Sequence, residues 1–224
     1  MKEASELVNL INQNKSITDI LPSVSDIFNL IINQKKWVSE FYLHPLGFYY
    51  CRLFDNGENQ SRLHIWEPGY PVKKDLFIHD HYYNLCSWVL CGKILDFSYS
   101  VEKTIEISEF TKFTSSYING NDIRTLNRTD EYQKVNRSLE RLLVKGEKYI
   151  IPKGTFHSNK IFFDISELTV TLVYTFNNNA DHSPNVIGFS KNEIYLENNP
   201  EKITSLKVQT LIERANFCIF QESI

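Results

Sequence analysis

A change of hydrophobic period near residue 46 constrains this chain more than any other feature. Before it, apolar residues recur at helical spacing; after it, they alternate. Leu7, Leu10 and Ile11 fit one helical face, and Ile27, Leu30 and Ile31, with Trp37 and Phe41 further on, fit another. Ser25 reads as an N-cap, and Pro22 as the break between two helices within residues 3–43. From residue 46 the runs "GFYYCRLF", "SRLHIW", "LFIHDHYY", "LCSWVLCGKILDFSYS" and "TIEISEFTKF" have the period of strands. "DNG" at 55–57 marks a turn, and Pro68-Gly69 stops a strand. Residues 118–137 are polar and read as a loop. "SLERLLV", "KYIIP", "TFHSNKIFF", "LTVTLVYTF", "VIGFS" and "EIYLE" continue the strands, and a last helix is expected near 201–215, with Pro200 at or just before its start.

Many short strands separated by turns argue for an all-β sandwich or closed barrel, with helices at both ends of the chain. No repeat or linker divides the 224 residues. One domain is expected: a helical extension over 1–45, a barrel core over 46–178, and strands with a helix over 179–224. A chain of this size buries roughly 70% of its unfolded surface, so it needs no metal or disulfide merely to fold.

Charge narrows the function. A net charge of −3 with no basic stripe argues against a nucleic-acid partner. The N-terminus lacks the pattern of a signal peptide, and no run of about 18 apolar residues suggests a membrane span. Cys51, Cys86, Cys91 and Cys218 show no C-x-x-C spacing, so free thiols in a reducing cytoplasm are expected.

The chemistry concentrates in "IHDHYYNLC". On a strand, His79 and His81 project to one side, about 7 Å apart along the backbone, and Asp80 to the other. Two imidazoles so placed can converge on one cation, given a third ligand. "GEKYIIPKGTFH" supplies it: Pro152 and Gly154 force a tight turn that delivers His157 into the sheet.

H-x-H with Gly92 eleven residues on, followed by G-x5-P-x-G-x-x-H, resembles the two motifs of the cupin superfamily. The resemblance covers roughly residues 47–178. It implies a double-stranded β-helix, or jelly-roll barrel, with a metal near its middle. The glutamate many cupins carry shortly after the second histidine is absent; Leu85 and Cys86 stand there. Three neutral imidazoles leave a divalent ion its full charge and about three open positions, which suits Fe(II) with dioxygen and a chelating substrate; Zn, Ni and Mn remain alternatives.

The three-histidine version resembles cysteine dioxygenase and related thiol dioxygenases. That likeness implies Arg52, in "FYYCRLFDNG", as a carboxylate binder, and a thioether crosslink between Cys86 and Tyr174 beside the metal. From Gly92 backwards, however, the cysteine's place falls on Leu85, so Cys86 would need a bulge to reach the histidine face. A wider group of bacterial cupins shows similar patterns at least as closely. Arg62, His64 and Trp66 share one strand face and could line the barrel mouth, and Tyr83 could donate a hydrogen bond to bound oxygen or simply pack. The reading is a non-haem iron oxygenase acting with O2 on a small amphoteric substrate, a thiol such as cysteine among the candidates. The alternative is a metal-binding cupin of another class, an isomerase, a lyase or a non-catalytic ligand binder. Exposed edge strands leave a homodimer open.

Overall fold

The computed structural model describes residues 2–68, 78–117, 124–161, 168–177, 183–190, 195–197 and 200–220. Two helices come first, α1 (Lys2–Asn12) and α2 (Ile17–Gln34). Their boundary is set by Ser16, not by Pro22 or Ser25. Ser16 caps α2 through a reciprocal box with Asp19, while Asn14 turns left-handed at φ 54°. Pro22 lies inside α2, where it forgoes one ladder hydrogen bond. Phe41 is not helical either: a left-handed Lys35 ends α2, and Phe41 opens the first strand.

The strands are β1 (Phe41–His44), β2 (Phe48–Asp55), β3 (Gln60–Trp66), β4 (Ile78–His79), β5 (Asn84–Cys91), β6 (Lys93–Lys103), β7 (Phe110–Tyr117), β8 (Arg124–Val144), β9 (Lys148–Ile151), β10 (Phe156–Lys160), β11 (Thr169–Phe176), β12 (Asn185–Phe189), β13 (Tyr195–Glu197) and β14 (Glu201–Lys202). Helix α3 (Ser205–Phe220) follows. One sheet runs β14-β1-β2-β3-β11-β5-β9 and the other β13-β8-β6-β10-β4-β12-β7. All their pairings are antiparallel. β8 pairs with β6 along Gln133–Val144 and with β7 along Arg124–Gln133, so the second sheet closes on itself. The sheets meet across a core that includes Trp66, Leu85, Val89, Ile94, Leu143 and Val173. This is a two-sheet antiparallel jelly-roll barrel with N-terminal helices and a C-terminal helix.

The helices form a layer on the outer face of the first sheet. Leu7, Ile27, Phe28, Leu211 and Ile212 pack there against Cys51, Leu63, Ile65, Trp88 and Leu172. At about 25 cal/mol per Å2 of apolar surface removed from water, such side chains contribute roughly 1.5–3 kcal/mol each. Glu67 fastens α3 by accepting from Lys207 and Arg214. No described helix is long and apolar enough to cross a membrane.

Several expectations are corrected. The polar stretch within 118–137 is largely strand: β8 begins at Arg124, and its inward positions include polar Thr125 and Gln133, which hides the alternation. Residues 118–123 lie outside the described residues. β7 begins only at Phe110, because Ile105 and Ile107 lie in an exposed turn. Pro200 precedes a short strand, and α3 starts at Ser205, where Thr204 accepts from the Lys207 N–H. Cys91 and Cys218 are not free thiols but a disulfide joining β5 to α3; Cys51 and Cys86 are free and buried. Beside Cys91, Gly92 turns β5 into β6 at φ +76°, where a Cβ would lie 2.6 Å from the Leu168 carbonyl oxygen.

Candidate metal centre

β4 is short because its continuation is replaced by a side-chain clasp. Asp80 follows directly after β4, outside the strand expected there, and is buried. Its carboxylate accepts from the Asn185 backbone N–H at 2.6 Å and from Asn185 Nδ2 at 2.9 Å. Its own N–H donates to the Asn185 carbonyl at 3.1 Å. Here Asp80 is a structural group that fixes the backbone between two histidines.

The third histidine arrives by the turn its sequence encodes. Thr155 N–H closes the turn onto the Pro152 carbonyl, and Gly154 takes φ +74°. The Gly154 N–H then donates to the His81 carbonyl at 2.9 Å, tying the two motifs together directly. His157 lands opposite His79 in the β10–β4 register.

The three rings converge. Ring centroids lie 4.8 Å apart for His79–His81, 4.7 Å for His79–His157 and 5.1 Å for His81–His157. One nitrogen from each lies within 4.8 Å of the others, and His81 Nε2 stands 3.0 Å from His157 Nε2. Two nitrogens bound at right angles to one ion, each at about 2.1 Å, stand about 3.0 Å apart. The His81–His157 pair thus already has the spacing of two ligands on one ion, and His79 lies near enough to make three-histidine coordination of a divalent transition ion the candidate arrangement. His157 is 3% exposed, while His79 and His81 are partly buried.

Around this cluster the other candidates separate. Tyr83 stacks on His81 at 4.7 Å with 15° between planes. The Arg62 guanidinium lies 5.9 Å from the Tyr83 ring centroid. Its Nε is buried without a hydrogen-bond partner, and another nitrogen donates to Gln60. His64 sits apart from the three histidines, stacked on Phe48 at 4.7 Å and edge-on to Trp66 at 5.7 Å. Burial, reinforced by Arg62, pulls its imidazole down to about 3, so it stays neutral.

Arg52 is a correction. It lies across the β2–β3 pair from Arg62, but its side chain is 51% exposed and its charge faces Asp55 at 3.6 Å. That is a surface ion pair, worth little.

Cys86 and Tyr174 are a second correction. They do come together, directly opposite in the β5–β11 register and with no bulge between them. However, they lie on the helix-covered face, and the histidines belong to the barrel side. Tyr174 donates its hydroxyl proton to Asn12 Oδ1 at 2.7 Å. Burial pushes the Cys86 thiol up to about 11. A cavity of about 420 Å3 beside them is lined by both residues together with Asn12, Trp88 and Lys148. A crosslink formed there would not touch the metal cluster.

Sequence reasoning passed over Asp96, Arg141 and Asn159, which back His157 inside the barrel. The available signal was a lone acid in "KILDFSYS", in phase with Ile94 on an apolar strand.

Fold and cluster together define an antiparallel jelly-roll barrel with a three-histidine candidate metal centre. No family model matches the sequence, and no curated protein matches it. Among solved structures, it is similar to hydroxypropylphosphonic acid epoxidase from S. wedmorenis, at 14% identity and TM-score 0.38, over 60% of this chain and 54% of that one. It is similar to an RmlC-like cupin from Shewanella frigidimarina, at 12% and 0.36, over 64% and 87%. A DMSP lyase from Ruegeria pomeroyi is similar at 12% and 0.34, over 61% and 50%, so this chain spans about half that enzyme's length. Likeness at this level says nothing about what this chain binds.

Proposed function

We propose that this chain is a metal-dependent cupin enzyme, with Fe(II) held by His79, His81 and His157, that oxidises a small carboxylate-bearing substrate with O2. The observation that carries the reading is the convergence of three imidazole nitrogens within 4.8 Å. Held by these three histidines, iron would supply Lewis acidity and the redox chemistry that dioxygen needs.

The chain's own residues do the rest. Arg62, with a buried nitrogen still to be satisfied, holds the substrate's anionic end by a charge-assisted hydrogen bond. Tyr83, stacked between Arg62 and His81, fixes the distance from that anchor to the cluster. Phe48, His64 and Trp66 give the site an uncharged aromatic wall.

A second reading is favoured by the placement of Cys86 and Tyr174. With that pair on the other face, nothing beside the histidines among the described residues is specific to thiols. A Lewis-acid isomerase or lyase on the same site is then the competitor. The test is to load the metal-free protein anaerobically with Fe(II), then admit air with cysteine, other thiols or thiol-free carboxylates. Oxygen uptake dependent on one of them is the expected result. Uptake at the no-substrate rate across the whole set would overturn the oxygenase reading.

A further inference from the structure

Behind His157 lies a buried acid that the three-histidine site does not use. Asp96 is wholly buried on β6, facing Asn159 in the β6–β10 register, and Ser98 on the same strand faces His157. Its two oxygens are divided. Oδ2 accepts from Arg141 Nε at 2.8 Å. Oδ1 accepts from the Asn159 amide at 2.8 Å, in the amide orientation that satisfies both of its ends, and stands 3.6 Å from His157 Nδ1. That Nδ1 is buried and makes no hydrogen bond, while Nε2 of the same ring faces His81. The imidazole is thus suspended between a carboxylate and the cluster.

A neutral imidazole carries one proton, on either nitrogen. Beside a buried carboxylate the proton belongs on Nδ1, which leaves the Nε2 lone pair aimed at the cluster. At 3.6 Å the contact is longer than a hydrogen bond, but the electrostatic bias operates at that distance in a dry interior. A simple structural bridge between β6 and β8 would leave both oxygens free for Arg141 as a bidentate pair. Instead Arg141 takes one oxygen, its guanidinium lies 5.3 Å from the Tyr149 ring centroid, and the other oxygen is left toward His157.

We propose that Asp96 is a positioning residue for the metal centre. It fixes His157 as the Nδ1–H tautomer and supplies, one residue removed from the ion, the negative charge that a ligating carboxylate would bring. This rests on the metal-centre reading above. It explains how a site of three neutral donors offsets a divalent charge in a buried setting. Arg141 and Asn159 hold the carboxylate in place for that role.

Two measurements test it. In 15N-labelled metal-free protein, long-range 1H–15N correlation reads the His157 tautomer without any variant. Nδ1–H is expected, and Nε2–H overturns the proposal. Chelator competition with Zn(II) and with Fe(II) then compares wild type with Asp96→Asn, each checked for folding by its melting curve. Asp96→Asn is expected to bind 10- to 100-fold more weakly. An Asp96→Asn affinity within threefold of wild type overturns the proposal. A wild-type chain that takes up neither ion overturns the metal-centre reading itself, and the tautomer measured without metal keeps the two failures apart.

Discussion

The two faces of the first sheet carry opposite kinds of chemistry on the same strands. On the outer face, Cys86 and Tyr174 meet across β5 and β11, a thiol and a phenol side by side. On the inner face the same strands present Leu85, Val89 and Val173, and the three clustered histidines come from the opposing sheet and the segment after β4. The outer pair looks reactive by residue type alone. Burial holds its thiol protonated, however, and an amide from α1 engages its hydroxyl. Among the described residues the inner cluster has no thiol, but its three ring nitrogens converge. Which face a side chain occupies therefore decides its chemistry, and on a strand one position of register decides the face.

The sharpest way to break this contrast is to compare two arginines that face each other across β2 and β3, one with a buried nitrogen and one exposed. Arg62→Ala should raise the KM of any carboxylate substrate found in the oxygen-uptake screen by about 10- to 100-fold, the size of a lost hydrogen bond to a charged group. Arg52→Ala should leave KM within about twofold, since that exposed pair contributes little. Equal effects from the two arginines would mean that the inner wall has been misassigned.

A pH series separates the faces in a second way. The folded pKa of His64 is lowered, so the unfolded chain binds the extra proton. Its contribution to stability is complete above the unfolded value near 6.5 and is lost as pH falls toward about 3. By pH 5 the loss is about 2 kcal/mol. Melting temperatures from pH 7.5 to 5 should fall less steeply in His64→Phe than in wild type, and parallel curves would refute the assignment.

The smallest effect belongs to the outer face. Tyr174→Phe should cost about 1 kcal/mol of stability in a urea titration, through the lost bond to Asn12. Cys86→Ser should change neither metal content nor turnover. A loss of turnover in either variant, with the fold intact, would put the outer pair back into the chemistry.

The sequence made the histidines readable because each sits where local rules act strongly. The H-x-H spacing brings His79, at the end of β4, and His81, just past it, into one cluster, although no strand alternation runs through His81, and Pro152 with Gly154 dictates the turn before His157. The boundary of α2 was also written, as Ser16 and Asp19 in a capping box, but Pro22 drew the break to itself. β8 was lost because its buried positions include Thr125 and Gln133, so its pattern looks like a loop. The Cys91–Cys218 disulfide spans 127 residues and leaves no trace in spacing. Arg52 and Arg62 look equally inward on a strand diagram; only the solvent at one end of the sheet tells them apart. Asp96 depended on a partner 61 positions later, which no local rule supplies.

The most direct test of the central claim is the metal content of the purified chain and of His79→Ala, His81→Ala and His157→Ala, with X-ray absorption on the wild type. One ion per chain ligated by imidazole nitrogens, and loss of that ion from every variant, is the predicted result. Full retention of the ion in any one of the three variants, or a first shell built on sulfur, would contradict it.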